Sequence, residues 1–292
     1  MIGSNGNDTL IGGAGDDSMA GGLGNDTYEV TEAGEVVTEN DGAGDDTVWA
    51  YVNHTLAANV ENLVFSGAIG NFTGIGNALN NLMIGSNGND VLIGGAGDDS
   101  MAGGLGNDTY EVTEAGDVVT EDAGAGADTV WAYVNYALTA NVENLVFSGS
   151  TGNFTGTGNA LNNLMIGGSG DNTLDGGAGQ DTLTGGAGAD TFVVAALGDS
   201  EVGAGRDIIT DFLSGTDRIQ FTGIDANTGA AGHQAFTMIN TAAFSIGVAG
   251  QLRYSFAGTD TIVEGDVDGD GVADFQIQLT GNHTITAADL VV

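Results

Sequence analysis

The sequence predicts an all-β protein whose main body is a parallel β-solenoid. Three observations lead there. A nine-residue motif, GGxGxDxUx with U a large apolar residue, recurs in nine versions, in three tandem triplets that begin at Gly3, Gly85 and Gly167, 82 residues apart. The apolar residue always stands two positions after the acid, as Leu10, Met19 and Tyr28, then Leu92, Met101 and Tyr110, then Leu174, Leu183 and Phe192. Proline is absent from all 292 residues, so every backbone N–H remains available to a strand ladder.

Taken in order, each motif divides into a turn and a strand. Glycines at positions one, two and four permit a tight turn with positive φ and leave no side chain between the backbone carbonyls. Positions seven to nine then form a short strand whose side chains alternate faces, so position eight points inward and its neighbours point out. Position five, as at Asp16, is expected to face solvent. Two motifs make one coil of eighteen residues. The coil continues past the first triplet, because Glu35 lies nine residues beyond Asp26 and Val37 nine beyond Tyr28.

Residues 1–82 and 83–164 differ at 11 of 82 aligned positions, leaving 71 identical, and are read as a duplication. Each copy ends in an asparagine-rich stretch, 74–81 in the first, that keeps the nine-residue phase: Asn81 sits nine before Asp90, and residues 82–84 take the strand. We therefore read 1–82 and 83–164 as two units of one continuous solenoid, 165–194 as a third triplet, and 195–292 as a carboxy-terminal β-domain. In that domain strands are expected over 206–212, 217–221, 251–256, 261–264 and 273–279, separated by glycine-rich turns, and Thr286 is expected to cap one short helical turn ending at Asp289.

The motif also specifies a chemistry. With glycine on either side, turn carbonyls become available as ligands, and the acid at position six adds a hard anionic oxygen. Such oxygens are the donor set of Ca²⁺, which takes six to eight of them in tolerant geometry. The candidate ligands of the first triplet are Gly3, Gly6 and Asp8, then Gly12, Gly13, Gly15 and Asp17, then Gly21, Gly22, Gly24 and Asp26, with Glu35 following in phase. Those of the second are Gly85, Gly88 and Asp90, then Gly94, Gly95, Gly97 and Asp99, then Gly103, Gly104, Gly106 and Asp108, with Asp117 in the place of Glu35. The third contributes Gly167, Gly168, Gly170 and Asn172, then Gly176, Gly177, Gly179 and Asp181, then Gly185, Gly186, Gly188 and Asp190. Asn172 stands where an aspartate is expected, so that loop is expected to bind more weakly. Asp266, Asp268, Asp270 and Asp274 form a DxDxDG run that is a weaker candidate, because Ile277 replaces the glutamate of a helix-loop-helix calcium loop and a solvated acidic turn explains the run equally well.

Composition narrows the function. Forty acidic residues against three arginines and no lysine give a net charge of −37, which should drive the metal-free chain apart. Nucleic acid and anionic lipid are poor partners for such a surface. No apolar run approaches the length of a membrane helix, and no basic-then-apolar leader stands at the amino terminus. Without cysteine there is no disulfide, and stapling falls to metal. Neither HExxH nor GxSxG occurs, and His54, His233 and His283 are isolated and expected at the surface, so no catalytic site is expected in these residues.

The nonapeptides resemble the RTX, or hemolysin-type, calcium-binding repeat of secreted bacterial proteins. Residues 165–292 resemble the carboxy-terminal domain of serralysin-type (peptidase M10) proteases, through Asp190 to Val193, Asp199 and Ser200, Asp207 to Phe212, Gly215 to Ile219, and Gly265 to Phe275. The resemblance implies a parallel β-roll with Ca²⁺ between stacked loops, Asp8 facing Asp26 across one ion, and Asp199 and Asp207 closing the last sites. It implies about six strongly specified ions. Asp289, Leu290, Val291 and Val292 resemble the export signal read by a type I ABC-transporter channel. The expected function is an extracellular calcium-binding module that folds on binding Ca²⁺ after secretion. Two alternatives stay open: an adhesin-like or polysaccharide-associated β-roll, and the carboxy-terminal part of a secreted metalloprotease or other RTX enzyme.

Overall fold

The computed structural model describes residues 1–67, 70–147, 149 and 152–292. Among them the regular structure is strand, apart from two single 3-10 turns at Gly203–Gly205 and Ala287–Asp289. The chain forms two compact units, one of residues 1–134 and 139–142, the other of 135–138 and 143–292. No helix among the described residues is long and apolar enough to cross a membrane.

In the first unit, strands of two to four residues pair in parallel with the strand one coil on. Thr9–Ile11 lies beside Thr27–Val30 with Leu10 opposite Tyr28, an offset of eighteen residues that recurs between Val91–Ile93 and Thr109–Val112 and between Leu82–Ile84 and Ser100–Ala102. Other coils are longer or shorter: Thr27 to Thr47 takes twenty residues and Thr47 to Asn62 fifteen. The turns absorb the difference, because a one-residue slip within a strand would turn its apolar side chains to solvent. The result is an unbroken inward row, Leu10, Tyr28, Val48, Leu63, Met83, Met101 and Val119, with no member more than 3 % exposed. On the facing sheet the row narrows to Gly74, where a methyl would touch Leu63, Phe65 and Met83.

The second unit repeats this plan and then departs from it. Leu145, Met165, Leu183, Ile209 and Leu279 line one sheet, and Gly156, Leu174, Phe192, Ile219 and Leu290 the other. Phe275–Leu279 runs parallel to Asp207–Ile209 but antiparallel to Asp260–Asp266, which in turn pairs antiparallel with Gln251–Ala257. The carboxy-terminal domain thus grows from the edge of the roll's own sheet. Strands stand in all five places expected there, and Thr237–Met238 is an additional one. Thr286 caps the final turn, with Asp289 completing a capping box. Asp289 is fully buried and accepts the Gly215 N–H at 2.5 Å, and Leu290–Val291 then pairs with Ile219 and Gln220.

The turns explain the glycines. Where glycine stands at position two, positions two and four hold the positive φ values, for example 100° at Gly104 and 130° at Gly106. They also stack on the preceding coil, so that a Cβ on Gly106 would overlap the Gly88 carbonyl. Gly106→Ala is expected to cost about 1–3 kcal/mol for the backbone conformation, plus the overlap. Gly42→Ala, at a φ of 68° with open space around its Cβ position, should cost less. Urea unfolding in calcium compares the two, and equal losses would mean that the stacking contributes nothing.

Candidate metal sites

Strand register places each position-six side chain against the same turn of the neighbouring coil, and one carboxylate oxygen accepts the backbone N–H of its counterpart one coil earlier. In the first unit the Asp8 and Asp26 N–H groups donate to Asp26 and Asp46 Oδ1, both at 2.7 Å. The Asp90 and Asp108 N–H groups donate to Asp108 and Asp128 Oδ1 at 2.6 and 2.8 Å, and those of Asn81 and Asp99 to Asp99 and Asp117 Oδ1 at 2.8 and 3.0 Å. In the second unit Asn163 N–H donates to Asp181, Asp181 to Asp207, Asn172 to Asp190 and Asp190 to Asp217, over 2.7–3.0 Å.

The second oxygen of these carboxylates is what asks for a metal. Oδ2 of Asp26, Asp46, Asp99, Asp108, Asp181 and Asp190, and Oε1 of Glu35, are buried with no hydrogen-bond partner. An ionised oxygen in that condition costs several kcal/mol unless a cation meets it. No side chain does so: among the described residues the ion pair is Arg253 with Glu264, at 2.8 Å in the antiparallel sheet. The position-one glycines keep space open beside these oxygens. A Cβ on Gly94, Gly176 or Gly185 would fall against Oδ2 of Asp99, Asp181 or Asp190, and one on Gly12 against Glu35 Oε1 and Asp17 Oδ2. On Gly3 or Gly85 it would also meet the carbonyl of Gly21 or Gly103. Carboxylate and carbonyl oxygens converging on a space too small for a methyl group suit Ca²⁺.

The remaining sequence candidates divide by what their second oxygen does. Asp8 Oδ2 accepts the Ser4 N–H and hydroxyl at 2.5 and 2.9 Å, and Asp90 Oδ2 the Ser86 N–H at 2.6 Å, since serine replaces glycine at position two there. Glu35, Asp117 and Asp199 share a turn in which one oxygen accepts the N–H groups three and four residues earlier. Asn172 donates its amide to the Gly170 carbonyl at 2.8 Å, so this loop closes its own hydrogen bonds. Of the glycines, Gly22, Gly24, Gly95, Gly97, Gly104, Gly177, Gly179, Gly186 and Gly188 pack on the preceding coil's backbone, whereas Gly6, Gly13 and Gly15 have open space at their Cβ positions. Asp266 caps its own loop through the Gly269 and Gly271 N–H groups at 2.6 and 3.0 Å, and Asp270 caps Val272. Asp266, Asp268 and Asp274 bring one oxygen each within 4.8 Å of the others.

Four ladder members escaped the sequence reading. Asp46 and Asp128 lie twenty residues beyond their partners, Asp217 twenty-seven, and Glu61, which accepts the Asp46 N–H at 2.8 Å, fifteen, all outside the eighteen-residue phase. An Asp-Thr pair opening a strand, shared by Asp26, Asp46, Asp108, Asp128 and Asp190, is the signal that marks the first two. Position five is exposed as expected, Asp16 included, and also carries bonds between coils. Asn7, Asn71 and Asn89 each accept the N–H of the residue eighteen further on, at 2.8–2.9 Å, and Asn80 accepts that of Asp98 at 3.0 Å. Position six bonds to the coil before and position five to the coil after, so each turn is clamped from both sides. His233 is exposed as expected, but His54 is half-buried, and burial lowers its pKa.

Burial, reinforced by neighbouring carboxylates, raises the pKa of these groups: to about 6 at Asp46, Asp99 and Asp108, about 7 at Asp207 and about 8 at Asp181. In each case backbone N–H donation pulls the other way and is outweighed.

Residues 139–292, more than half of the chain, match the family model of the peptidase M10 serralysin C-terminal region. The chain belongs to the serralysin C-terminal family. Residues 1–28 and 75–110 match the RTX calcium-binding nonapeptide repeat, which ties the loops within those residues to Ca²⁺. Among solved structures the serralysin-type chain is similar to the AlgE6R3 subunit of the Azotobacter vinelandii mannuronan C5-epimerase, at 24 % identity over 74 % of this chain and 80 % of that one, with a TM-score of 0.31. It is similar to the AlgE6R2 subunit of the same enzyme at 24 % identity over 63 % and 86 %, TM-score 0.31. Extracellular lipase LipA from Serratia marcescens follows at 17 % identity over 87 % and 45 %, TM-score 0.25. No curated protein matches the chain.

Two predictions follow from the second oxygen. Asp181→Asn supplies the amide that already closes the Asn172 loop, so it should remove one calcium ion per chain by calorimetric titration while increasing β-structure in chelator. Loss of β-structure in chelator would contradict the ladder. The raised pKa values also give the pH dependence a sign. A carboxyl whose folded pKa lies above the unfolded value of about 3.9 takes up a proton on folding, so its stabilisation is complete below about pH 4 and is lost as pH rises through the folded value. In chelator, β-structure should therefore fade as pH rises towards the 6 to 8 range of these groups. In saturating calcium the trend should reverse, because the ion needs the carboxylates ionised. Circular dichroism across pH, with and without calcium, reads both signs.

Proposed function

We propose that the chain is an extracellular calcium-binding module that leaves the cell unfolded through a type I ABC-transporter channel and folds when it meets Ca²⁺ outside. The row of buried, unpartnered carboxylate oxygens between stacked coils carries this reading, in a chain with 40 acidic residues and three basic ones. Such a site hardly exists before the coils stack, so metal binding and folding are one equilibrium. Extracellular calcium modules work at about 10⁻⁴ to 10⁻³ M, a range that separates the outside of a cell from its cytosol. The carboxy-terminal Asp-Leu-Val-Val segment supplies the export signal in this reading. Any catalytic partner is a separate region of a longer protein.

A second reading is association with a polysaccharide or another extracellular surface. It is favoured by Trp49 and Tyr51 and their duplicates Trp131 and Tyr133, which stand 44 % and 41 % exposed in both copies. With so few cations, an anionic sugar would be held through bridging calcium.

Far-ultraviolet circular dichroism during a calcium titration from chelator, with magnesium as control, tests the first reading. A cooperative coil-to-β transition with calcium alone is expected. A β-spectrum indifferent to chelator would remove calcium-driven folding and bring the adhesive reading forward.

A further inference from the structure

Two places in the roll carry more negative charge than the two-carboxylate ladder requires. Asp26, Glu39 and Asp46 are 1, 6 and 0 % exposed, and one carboxylate oxygen from each lies within 4.8 Å of the others. Asp108, Glu121 and Asp128, at 1, 7 and 0 %, repeat the arrangement in the second copy. The glutamate comes from outside the nonapeptide pattern, thirteen residues after its aspartate.

A tyrosine organises each group. Tyr28, wholly buried at the inward position eight, accepts the Gly21 N–H at 2.7 Å and donates its hydroxyl to Glu39 Oε1, while the Gly21 N–H also reaches that oxygen at 3.0 Å. Tyr110 accepts the Gly103 N–H at 2.6 Å and donates to Glu121. A carboxylate has about four lone-pair positions, so two donors on one oxygen hold it in place and leave capacity for a ligand. Oδ2 of Asp26 and Asp46 and Oδ2 of Asp108 have no partner, and they face this space: a Cβ on Gly21 would meet both Asp26 Oδ2 and the Tyr28 hydroxyl, and one on Gly103 both Asp108 Oδ2 and the Tyr110 hydroxyl. Beside the second group lies a cavity of about 160 Å³, lined by Ala102, Gly104, Thr120, Glu121 and Asp122.

The internal copies point the same way. Of the 11 positions at which residues 1–82 and 83–164 differ, three lie next to the site, with Asn40, Asp41 and Asp45 becoming Asp122, Ala123 and Ala127, yet the glycine, tyrosine and three acids are identical. The third triplet has Phe192 in place of the tyrosine, its Asp190 is bonded by Asp217, and no three-acid group forms there among the described residues. Tyrosine and glutamate are present together or absent together.

We propose that Asp26, Glu39 and Asp46, and in the second copy Asp108, Glu121 and Asp128, each hold one calcium ion through three carboxylates. These two sites bind more tightly than the two-carboxylate positions, and Tyr28 and Tyr110 are the positioning residues that aim the glutamates. The inference rests on the calcium reading of the chain. Charge count is a principal means by which calcium sites set their affinity, and each of these sites adds one charge to the ladder pair.

The test is calorimetric calcium titration of the full chain, with circular dichroism alongside. Glu39→Gln/Glu121→Gln should remove two ions from the tightest class, or weaken them by about 10- to 100-fold or more, while the β-spectrum in excess calcium is retained. Tyr28→Phe/Tyr110→Phe keeps every carboxylate and should weaken the same two sites by about 10- to 100-fold, the usual cost of losing a group that orients a ligand. It should also lower terbium emission sensitised through tyrosine. If the glutamine variant does not fold in calcium, the phenylalanine variant decides alone. Unchanged number and affinity of tight ions in a folded variant would overturn the three-carboxylate sites and leave calcium-driven folding standing. A wild-type chain that neither binds calcium nor gains β-structure would overturn the functional reading itself.

Discussion

The structure depends on stacking like charges. Each coil sets a carboxylate against the backbone of its neighbour, and one oxygen of that carboxylate completes the coil-to-coil hydrogen bonding. At Asp26, Asp46, Asp99, Asp108, Asp181 and Asp190 the other is left buried with nothing to meet it. In most folds such a group is neutralised by lysine or arginine, but this chain has no lysine and its three arginines lie between residues 206 and 253. The compensation must come from outside the chain, and the turns provide for it by keeping glycine wherever a side chain would fill the space beside the carboxylate oxygen.

The contrast between aspartate and asparagine within the same ladder isolates this constraint. Asn81, Asn163 and Asn172 occupy ladder positions, and their amides donate to the carbonyls of Glu61, Glu143 and Gly170. These turns are complete as they stand. Ionised aspartate at equivalent places has no proton to give, and at Asp99, Asp181 and Asp190 it leaves an oxygen open. The roll therefore contains both turns that close their own hydrogen bonds and turns that leave a buried carboxylate oxygen open. The carboxy-terminal hairpin strands add ordinary antiparallel pairing and the Arg253–Glu264 ion pair, so that end of the second unit rests on a conventional core of Phe221, Phe236 and Phe275.

Much of this was legible in the sequence because a solenoid turns sequence distance into spatial distance. Eighteen residues is one coil, so the partner of Leu10 had to be Tyr28, and the acids of consecutive coils had to meet. Legibility ended where the coil length changed. Asp46, Asp128 and Asp217 sit on the ladder at offsets of twenty and twenty-seven residues, and no fixed period reaches them. Position five is exposed as expected, but its bonds between coils were not legible. An exposed asparagine looks like a solvated one until the neighbouring coil's N–H is seen to point at it.

The sequence by itself determined the all-β class, the inward row, the turn glycines and the acid at position six, because each follows from strand alternation and from a period that the chain repeats. The tertiary structure alone decided which acids share a space. Glu39 and Glu121 lie outside the motif and meet the ladder where a buried tyrosine hydroxyl donates to each, joined at Glu39 by the Gly21 N–H. Whether a carboxylate becomes a ligand, a turn cap or a solvated charge depends on the donors that reach its second oxygen, and those come from neighbouring coils.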